Sequence, residues 1–430
     1  MTDLMLNQYK KTTRTHYKIL GLSWAGWIFD FYDLILFTFL IIPIGTELHL
    51  SNLMLSYALG ISLAATAIGG VIFGFLSDRY GRRTVLQITI IVYSVGTFLC
   101  GLSTSLESLI LFRIITGLGV GGEWATGQTY IGETFPPHLR GRYGSFMQTG
   151  APLGIAFASV VGGLLAPSLG WRTCFFLSII PAFMVIYIRR GLPESDLWLK
   201  EKEERAKRIF KGTKDGLKDK KKELNKFLVL FSREYRKEFL LALLLAVLGL
   251  SAYWFTYSWM PDYLYSQRHF SLTKSALWII VTQIGGFLGY LSFGFVADKI
   301  GRRPAYSIYC FTMALGLVMI TVLWDVVVVY PPVILTFMFL VGFGTGFFGG
   351  YGPLFSELFP TAIRNTASGS AFNLGRGAQF LTPIIIASIA TKYDLSLGIF
   401  LAAVFAVATG LWIWTFPETM GRNLEELEED

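Results

Sequence analysis

The chain has 430 residues, of which 53% are hydrophobic and 15% charged, against about 25% charged in soluble domains, which excludes a large soluble enzyme and indicates a membrane protein. Its formal charge of +8 suits either nucleic acid or an acidic membrane surface, and the placement of the lysines and arginines favours the membrane and argues against nucleic acid. Cys100, Cys174 and Cys310 lie in apolar runs without Cys-x-x-Cys or Cys/His spacing, so neither a disulfide framework nor a metal site is expected.

A bilayer core of about 30 Å needs about 20 apolar residues per helix, and twelve windows of roughly that length are nearly free of Asp, Glu, Lys and Arg. The first six cover 21–42, 55–76, 85–102, 109–131, 144–165 and 174–188. The last six cover 239–260, 276–296, 306–324, 331–355, 367–389 and 395–416. The polar stretch with Lys10, Lys11 and Arg14 leads into an apolar run too long for a signal h-region, so no cleavable signal peptide is expected. Residues 1–191 and 237–430 are therefore expected to form two six-helix bundles, the second with a short tail. The Lys/Glu-rich segment 192–236 is their tether.

Lysine and arginine are retained in cytoplasmic links. With the N-terminus inside, the outward links hold only Arg172, Arg268, Lys274 and Lys392 and the spans only Arg113 and Arg376, so 31 of 37 basic residues face the cytoplasm. Both termini are then cytoplasmic and the protein is expected in the cell membrane. Internal repeats reinforce the division: Gly74-Phe-Leu-Ser-Asp78-Arg-Tyr-Gly81-Arg82-Arg83 returns 220 residues later as Gly294-Phe-Val-Ala-Asp298-Lys-Ile-Gly301-Arg302-Arg303. Glu133-Thr-Phe-Pro136-Pro-His-Leu-Arg140 likewise returns as Glu357-Leu-Phe-Pro360-Thr-Ala-Ile-Arg364.

Two six-helix halves with Gly-x-x-x-Asp-x-x-Gly-Arg-Arg between their second and third helices resemble the major facilitator superfamily over nearly the whole chain. The resemblance implies an all-α membrane fold of twelve helices in two pseudo-symmetric bundles, working by alternating access. Arg113-Ile-Ile-Thr-Gly117-Leu-Gly119-Val-Gly121-Gly122-Glu123, Leu192-Pro-Glu-Ser and Pro417-Glu-Thr look like its proton-coupled solute branch. Asp30-Phe-Tyr-Asp33, Gly122-Glu123-Trp124 and Tyr253-Trp-Phe-Thr-Tyr-Ser-Trp259-Met-Pro261 resemble the sialate:proton and metabolite:proton symporters, which move organic anions. The C-terminal Pro417-Glu-Thr-Met-Gly421-Arg is similar to sugar porters, yet the seventh span lacks their Gln-Gln-x-x-Gly.

Only Asp30, Asp33, Arg113, Glu123 and Arg376 carry charge inside the spans, and each costs at least a few kcal/mol near the bilayer centre unless compensated. Asp30 and Asp33, three apart on one helix, fall on nearly one face about 5–6 Å apart, close enough to titrate as a pair and to load a proton. The alternative for either is a packing hydrogen bond. Glu123 is a second proton candidate. At about 1.5 Å rise per residue it starts about 15 Å from Arg113, too far for direct pairing. Arg113 either takes part in proton transfer, as the resemblance implies, or balances Asp30 or Asp33.

Arg376, near mid-membrane, offers a bidentate fork that suits an anionic substrate, with interdomain packing as the alternative. Gln148, Asn373, Gln283, Tyr253, Trp254 and Tyr257 are expected to add neutral polar and aromatic cavity contacts. Asp78 and Asp298, beside Arg82, Arg83, Arg302 and Arg303, resemble the superfamily's inner gate, either capping a neighbouring helix or pairing with Arg140 or Arg364. The expected function is proton-driven symport of a small organic anion such as a mono- or dicarboxylate or acidic sugar. The chain is expected to be a monomer, powered by a proton gradient and using no cofactor. A sugar:proton symporter or a non-transporting nutrient receptor remain alternatives. The spans carry no nucleophile/His/acid set or metal-ligand cluster, so no enzymatic activity is expected.

Overall fold

The computed structural model describes residues 6, 11–136, 140–183, 191–196, 198–200, 202–203, 228–359 and 364–420, and all regular structure among them is helical. Among the described residues, ten helices are long and apolar enough to cross a membrane. The first four spans are Arg14–Leu48, Asn52–Tyr80, Arg82–Cys100 and Leu106–Thr134. The fifth is Arg140–Gln148 followed by Gly150–Ser159 and a π turn, Val160–Leu165. The seventh is Arg236–Tyr257 followed by Met260–Asp262 and a π turn, Tyr263–Gln267, and the eighth, ninth and twelfth are Leu272–Ile300, Arg302–Thr321 and Leu395–Trp412. The tenth runs from Pro331–Gly344 through the tight turn Thr345–Gly350 into Tyr351–Leu358. Two expected spans are made of shorter pieces: the sixth of Trp171–Leu177 and Ile180–Phe183, the eleventh of Arg364–Ala378 and Leu381–Ala390. The end of the sixth span, most of the tether and the tail from 421 lie outside the described residues.

Prolines explain where the helices break. A proline has no N–H for the carbonyl four residues earlier and its ring crowds that carbonyl. Pro152, Pro181 and Pro261 lie four residues beyond the helix ends Gln148, Leu177 and Tyr257, and Pro383 lies four beyond Gln379, in the turn of the eleventh span. Pro43 is accommodated inside the first helix.

The duplication extends to the caps. His49 and His269 end the first and seventh spans with φ of 53° and 56°, and Gly81 and Gly301 turn the chain with φ of 99° and 100°, a region open to glycine at no steric cost. Ser51 and Ser271 accept from the backbone N–H groups of Met54 (3.3 Å) and Lys274 (3.1 Å). The Arg82 and Arg302 helices are capped by carboxylates from the segments after the sixth and twelfth spans. Glu194 accepts from the Arg82 and Arg83 N–H groups at 2.8 and 3.1 Å, and Glu418 from those of Arg302 and Arg303 at 2.8 and 3.1 Å.

Small residues let the spans approach closely. A Cβ at Gly121 would overlap the Thr66 carbonyl of the second span, and one at Gly342 the Thr282 carbonyl of the eighth. The outer surface is apolar, with Val71 71% and Phe295 82% exposed, as a lipid-facing wall requires. Between the halves, the second span packs on the eleventh and the fifth on the eighth. Away from the arginine-rich end this seam includes Asn52 Nδ2 donating to Asp262 Oδ2 (3.3 Å) and Thr273 Oγ1 donating to the Gly163 carbonyl (3.4 Å).

Candidate functional site

The first span contributes most of the site. Trp27 and Phe31, one turn apart, meet edge to face at 4.8 Å, and between them Asp30 is fully buried. Arg376, 3% exposed, places Nη2 at 3.7 Å from Asp30 Oδ2 and its guanidinium 5.8 Å from the centre of the Trp27 ring. Arg376 lies in the last turn of Arg364–Ala378, where the negative end of the helix dipole favours a cation. Gln379 fixes the break that follows. It accepts from Ser251 Oγ (3.1 Å) and Thr382 Oγ1 (2.9 Å) and donates to the Gly375 carbonyl (3.0 Å), tying the eleventh span to the seventh.

The other in-span charges surround this pair. Asp33 and Arg113 are fully buried, and Arg113 Nη1 donates to the Asp33 backbone carbonyl at 3.1 Å while its guanidinium lies 4.8 Å from the centre of the Phe37 ring. Glu123, also fully buried, accepts from Thr89 Oγ1 at 2.8 Å. Its other oxygen abuts Gly26, one turn before Asp30, where a Cβ would collide with it. Among the described residues, the carboxylate oxygens of Asp30 and Asp33, Arg376 Nη1 and Nη2, Trp27 Nε1 and Tyr253 Oη have no hydrogen-bond partner. Buried polar atoms rarely remain so.

A cavity of about 30 Å³ opens beside Arg376, lined by Trp27, Phe31, Gln148, Ala151, Leu250, Tyr253, Trp254, Tyr290, Phe348 and Phe372. It has room for one or two waters and for no organic substrate. Two aromatic contacts between the halves close it. Phe31 meets Tyr253 at 6.0 Å on one side, and Trp124 stacks on Phe372 at 4.6 Å toward the arginine-rich end.

Of the residues expected to contact substrate, Arg376, Gln148, Tyr253 and Trp254 line this cavity. Asn373, Gln283 and Tyr257 do not. Asn373 packs against Gly70 of the second span, and Gln283 donates to Thr282 Oγ1 at 2.5 Å. The cavity also takes in Trp27, Phe31, Tyr290, Phe348 and Phe372, which the sequence does not single out. Aromatics at one-turn spacing, as at Trp27 and Phe31, were the only signal for them.

At the arginine-rich end Arg140–Gln148 packs on Tyr351–Leu358 across the halves, and the gate arginines also bond within their own halves. Arg82 forms a bidentate pair with Glu133, Nη2 to Oε1 at 2.7 Å, and Arg83 Nη1 donates to the Leu192 carbonyl at 2.9 Å. Arg302 pairs with Asp298 at 2.6 Å, and the Arg303 guanidinium lies 5.1 Å from the centre of the Trp414 ring. The starts of the Arg82 and Arg302 helices are capped by Glu194 and Glu418. Asp298 stands in the final turn of its own helix, four residues from Arg302 across the Gly301 turn, with its side chain 71% exposed. The side chains of Asp78, Arg140 and Arg364 lie outside the described residues.

This architecture defines a multi-pass membrane transporter of the major facilitator fold. Over residues 4–430 the chain matches the sugar (and other) transporter family, and it belongs to that family, a family of transporters and not of enzymes. It is 30% identical over 433 residues to a Cupriavidus pinatubonensis protein named as a probable 4-methylmuconolactone transporter, covering 99% of this chain and 96% of the relative. It is 28% identical over 398 residues to the sialic acid transporter NanX of Escherichia coli, covering 92% and 93%. The inward-open xylose transporter XylE of E. coli superimposes with a TM-score of 0.74 at 22% identity over 96% of this chain and 99% of that one, a likeness of fold.

Proposed function

We propose that the protein is a proton-coupled symporter of small organic anions in which Asp30 and the substrate carboxylate compete for Arg376. The buried Arg376–Asp30 contact at the cavity wall, 3.7 Å with neither Nη atom hydrogen-bonded, carries this reading. With every group ionised, Asp30, Asp33 and Glu123 against Arg113 and Arg376 leave one negative charge in the buried cluster. A proton on Asp30 neutralises the cluster and frees the guanidinium fork for a carboxylate. The fully loaded cluster then has the same net charge as the empty one. An anion arriving without the proton would place a second unbalanced negative charge there, beside Asp30.

At about 4 Å and an effective dielectric of about 20, one charge pair is worth about 4 kcal/mol. An anion therefore displaces a protonated Asp30 far more readily than an ionised one. The bundles rock about this site with the arginine-rich end in the cytoplasm and both termini inside, in keeping with the basic-residue asymmetry. The acidic relative, the sialic acid transporter, agrees with an anionic substrate.

The experiment is uptake of labelled carboxylates into proteoliposomes, alkaline inside, with wild-type protein, Asp30→Asn and Arg376→Gln. Wild type should accumulate substrate, Asp30→Asn should exchange it without accumulating it, and Arg376→Gln should do neither. Accumulation by wild type that ignores the pH gradient, or that is retained in Arg376→Gln, rejects the proposal. So does uptake of a neutral hexose in preference to every carboxylate.

A further inference from the structure

Outside the central cluster, one further carboxyl group is buried where the halves meet. Asp262, just before the π turn of the seventh span, is 2% exposed and lies in the seam away from the arginine-rich end. Two neutral groups bond to it. Asn52, from the other half, donates Nδ2 to Oδ2 at 3.3 Å, and Ser266 donates Oγ–H to Oδ1. Asn52 and Ser266 are themselves exposed, so the carboxyl sits one side chain below the surface.

Among the described residues no cation pairs with it. The first and eighth spans pack against Met260–Asp262, and their charged groups are engaged elsewhere. Glu47 pairs with Arg172 at 2.9 Å, and Lys274 lies 3.8 Å from the centre of the Phe270 ring. In the π turn, Tyr263 donates to the Ile320 carbonyl and accepts from Arg268 Nε at 2.8 Å, while Tyr265 is exposed. Tyr257 of the seventh span packs on Tyr253 at 4.8 Å. His49 and His269, which end the first and seventh spans, are exposed.

An ionised carboxylate with two neutral donors and no cation strongly opposes burial, and the protonated acid far less. The surroundings suit the proton, because Ser266 Oγ can accept from Oδ1–H while Asn52 stays on Oδ2. Parting the halves removes Asn52 and admits water, which favours the ionised form. We infer that Asp262 is a second proton-binding site, separate from the Asp30 cluster, that takes a proton from the outer face as the seam closes and returns it there as the seam reopens. The O–H bond forms and breaks on one carboxyl oxygen with outer water as donor and acceptor, so this proton gates the halves and is not carried across. The inference takes the arginine-rich end as cytoplasmic and does not depend on what the substrate is.

Spin labels on Leu169→Cys and Tyr393→Cys, exposed positions of the two halves at that face, read the width of the seam by pulsed electron resonance in nanodiscs. Cys100, Cys174 and Cys310 are buried and leave the labelling selective. One proton exchanged per closure changes the closed-to-open ratio by up to about tenfold per pH unit, so acidification from about pH 8 to about pH 5.5 should raise the short-distance population several-fold. Asp262→Asn, which has the shape of the protonated acid, should hold the short distance at both pH values. Asp262→Glu should restore the response, and Asp30→Asn should leave it intact. A wild-type distance that ignores pH overturns the site. So does a full response persisting in Asp262→Asn, as titration of His49 or His269 would give. Loss of the response in Asp30→Asn assigns it to the central cluster and likewise overturns the site, whereas the pairing of Asp30 with Arg376 stands or falls on the uptake experiment.

Discussion

Gly26 and Glu123 form the tightest contact around the buried charges, because a methyl group on Gly26 would occupy the space of a Glu123 carboxylate oxygen. Glu123 is held on its other side by Thr89, 2.8 Å away, so an added Cβ must rotate the carboxylate or push the first span, with Asp30 on it, away from the fourth. Gly26→Ala should therefore reduce gradient-driven accumulation at least about tenfold, given how steeply function depends on sub-ångström placement, while the protein still folds and reaches the membrane. Normal accumulation would show that Glu123 can move without consequence. Such charged residues were legible from sequence because a charge in an otherwise apolar span is costly enough to stand out. Trp27, Phe31 and Phe372 were not, since in a chain with 16% aromatic residues a cavity-facing ring reads the same as one facing lipid. Nor could spacing tell that Arg376 would meet Asp30, a contact between the first and eleventh spans made by tertiary packing alone.

Among the elements, the Glu194 and Glu418 caps show how the halves are held at their arginine-rich ends. Both belong to the Pro-Glu-Ser/Thr motifs that sequence marks at 193–195 and 417–419. Their target, a helix start 112 residues away for Glu194 and 116 for Glu418, is a matter of topology that no local pattern encodes. Burial pushes the Glu418 carboxyl up, but the backbone N–H groups of Arg302, Arg303, Met420 and Thr419 outweigh it and hold the group below the ordinary carboxylate range. A carboxyl depressed on folding stabilises fully above its unfolded pKa, and that contribution is lost as pH falls through the lower folded value. Glu418→Gln should thus melt a few degrees below wild type near pH 7, consistent with a cap worth about 1 kcal/mol. The difference between the two proteins should shrink as pH falls below the ordinary carboxylate range, where wild type loses the same charge. A constant difference between them would mean that the cap does not depend on ionisation. The helix breaks in the fifth, sixth, seventh and eleventh spans follow Pro152, Pro181, Pro261 and Pro383 and were open to the same reading of the sequence, since the missing N–H alone places them four residues upstream.

At the scale of the molecule, transport needs the central cavity to open to one face at a time, and the structure joins the halves on both sides of it. The two closures differ in chemistry. Away from the arginine-rich end, the Phe31–Tyr253 contact is backed by Asn52 on Asp262 and Thr273 on the Gly163 carbonyl. Toward the arginine-rich end, Arg140–Gln148 packs on Tyr351–Leu358, and the barrier next to the cavity is the Trp124–Phe372 stack, 4.6 Å between ring centres and 25° between planes. A stacked pair of this kind is worth about 0.5–1.5 kcal/mol beyond its burial, so removing one ring should shift a two-state equilibrium by up to about tenfold toward the state open at that end. Gln148, at the cavity wall, serves as the reporter once replaced by cysteine, because Cys100, Cys174 and Cys310 are all buried and give little background. In inverted membrane vesicles, Gln148→Cys combined with Trp124→Ala should react several-fold faster with an impermeant thiol reagent than Gln148→Cys alone, whereas Asn52→Ala in place of Trp124→Ala should raise labelling in right-side-out vesicles. Equal rates with and without Trp124 would place the closing barrier elsewhere along the seam, and faster labelling of the Trp124→Ala protein from the opposite face would reverse the assigned orientation.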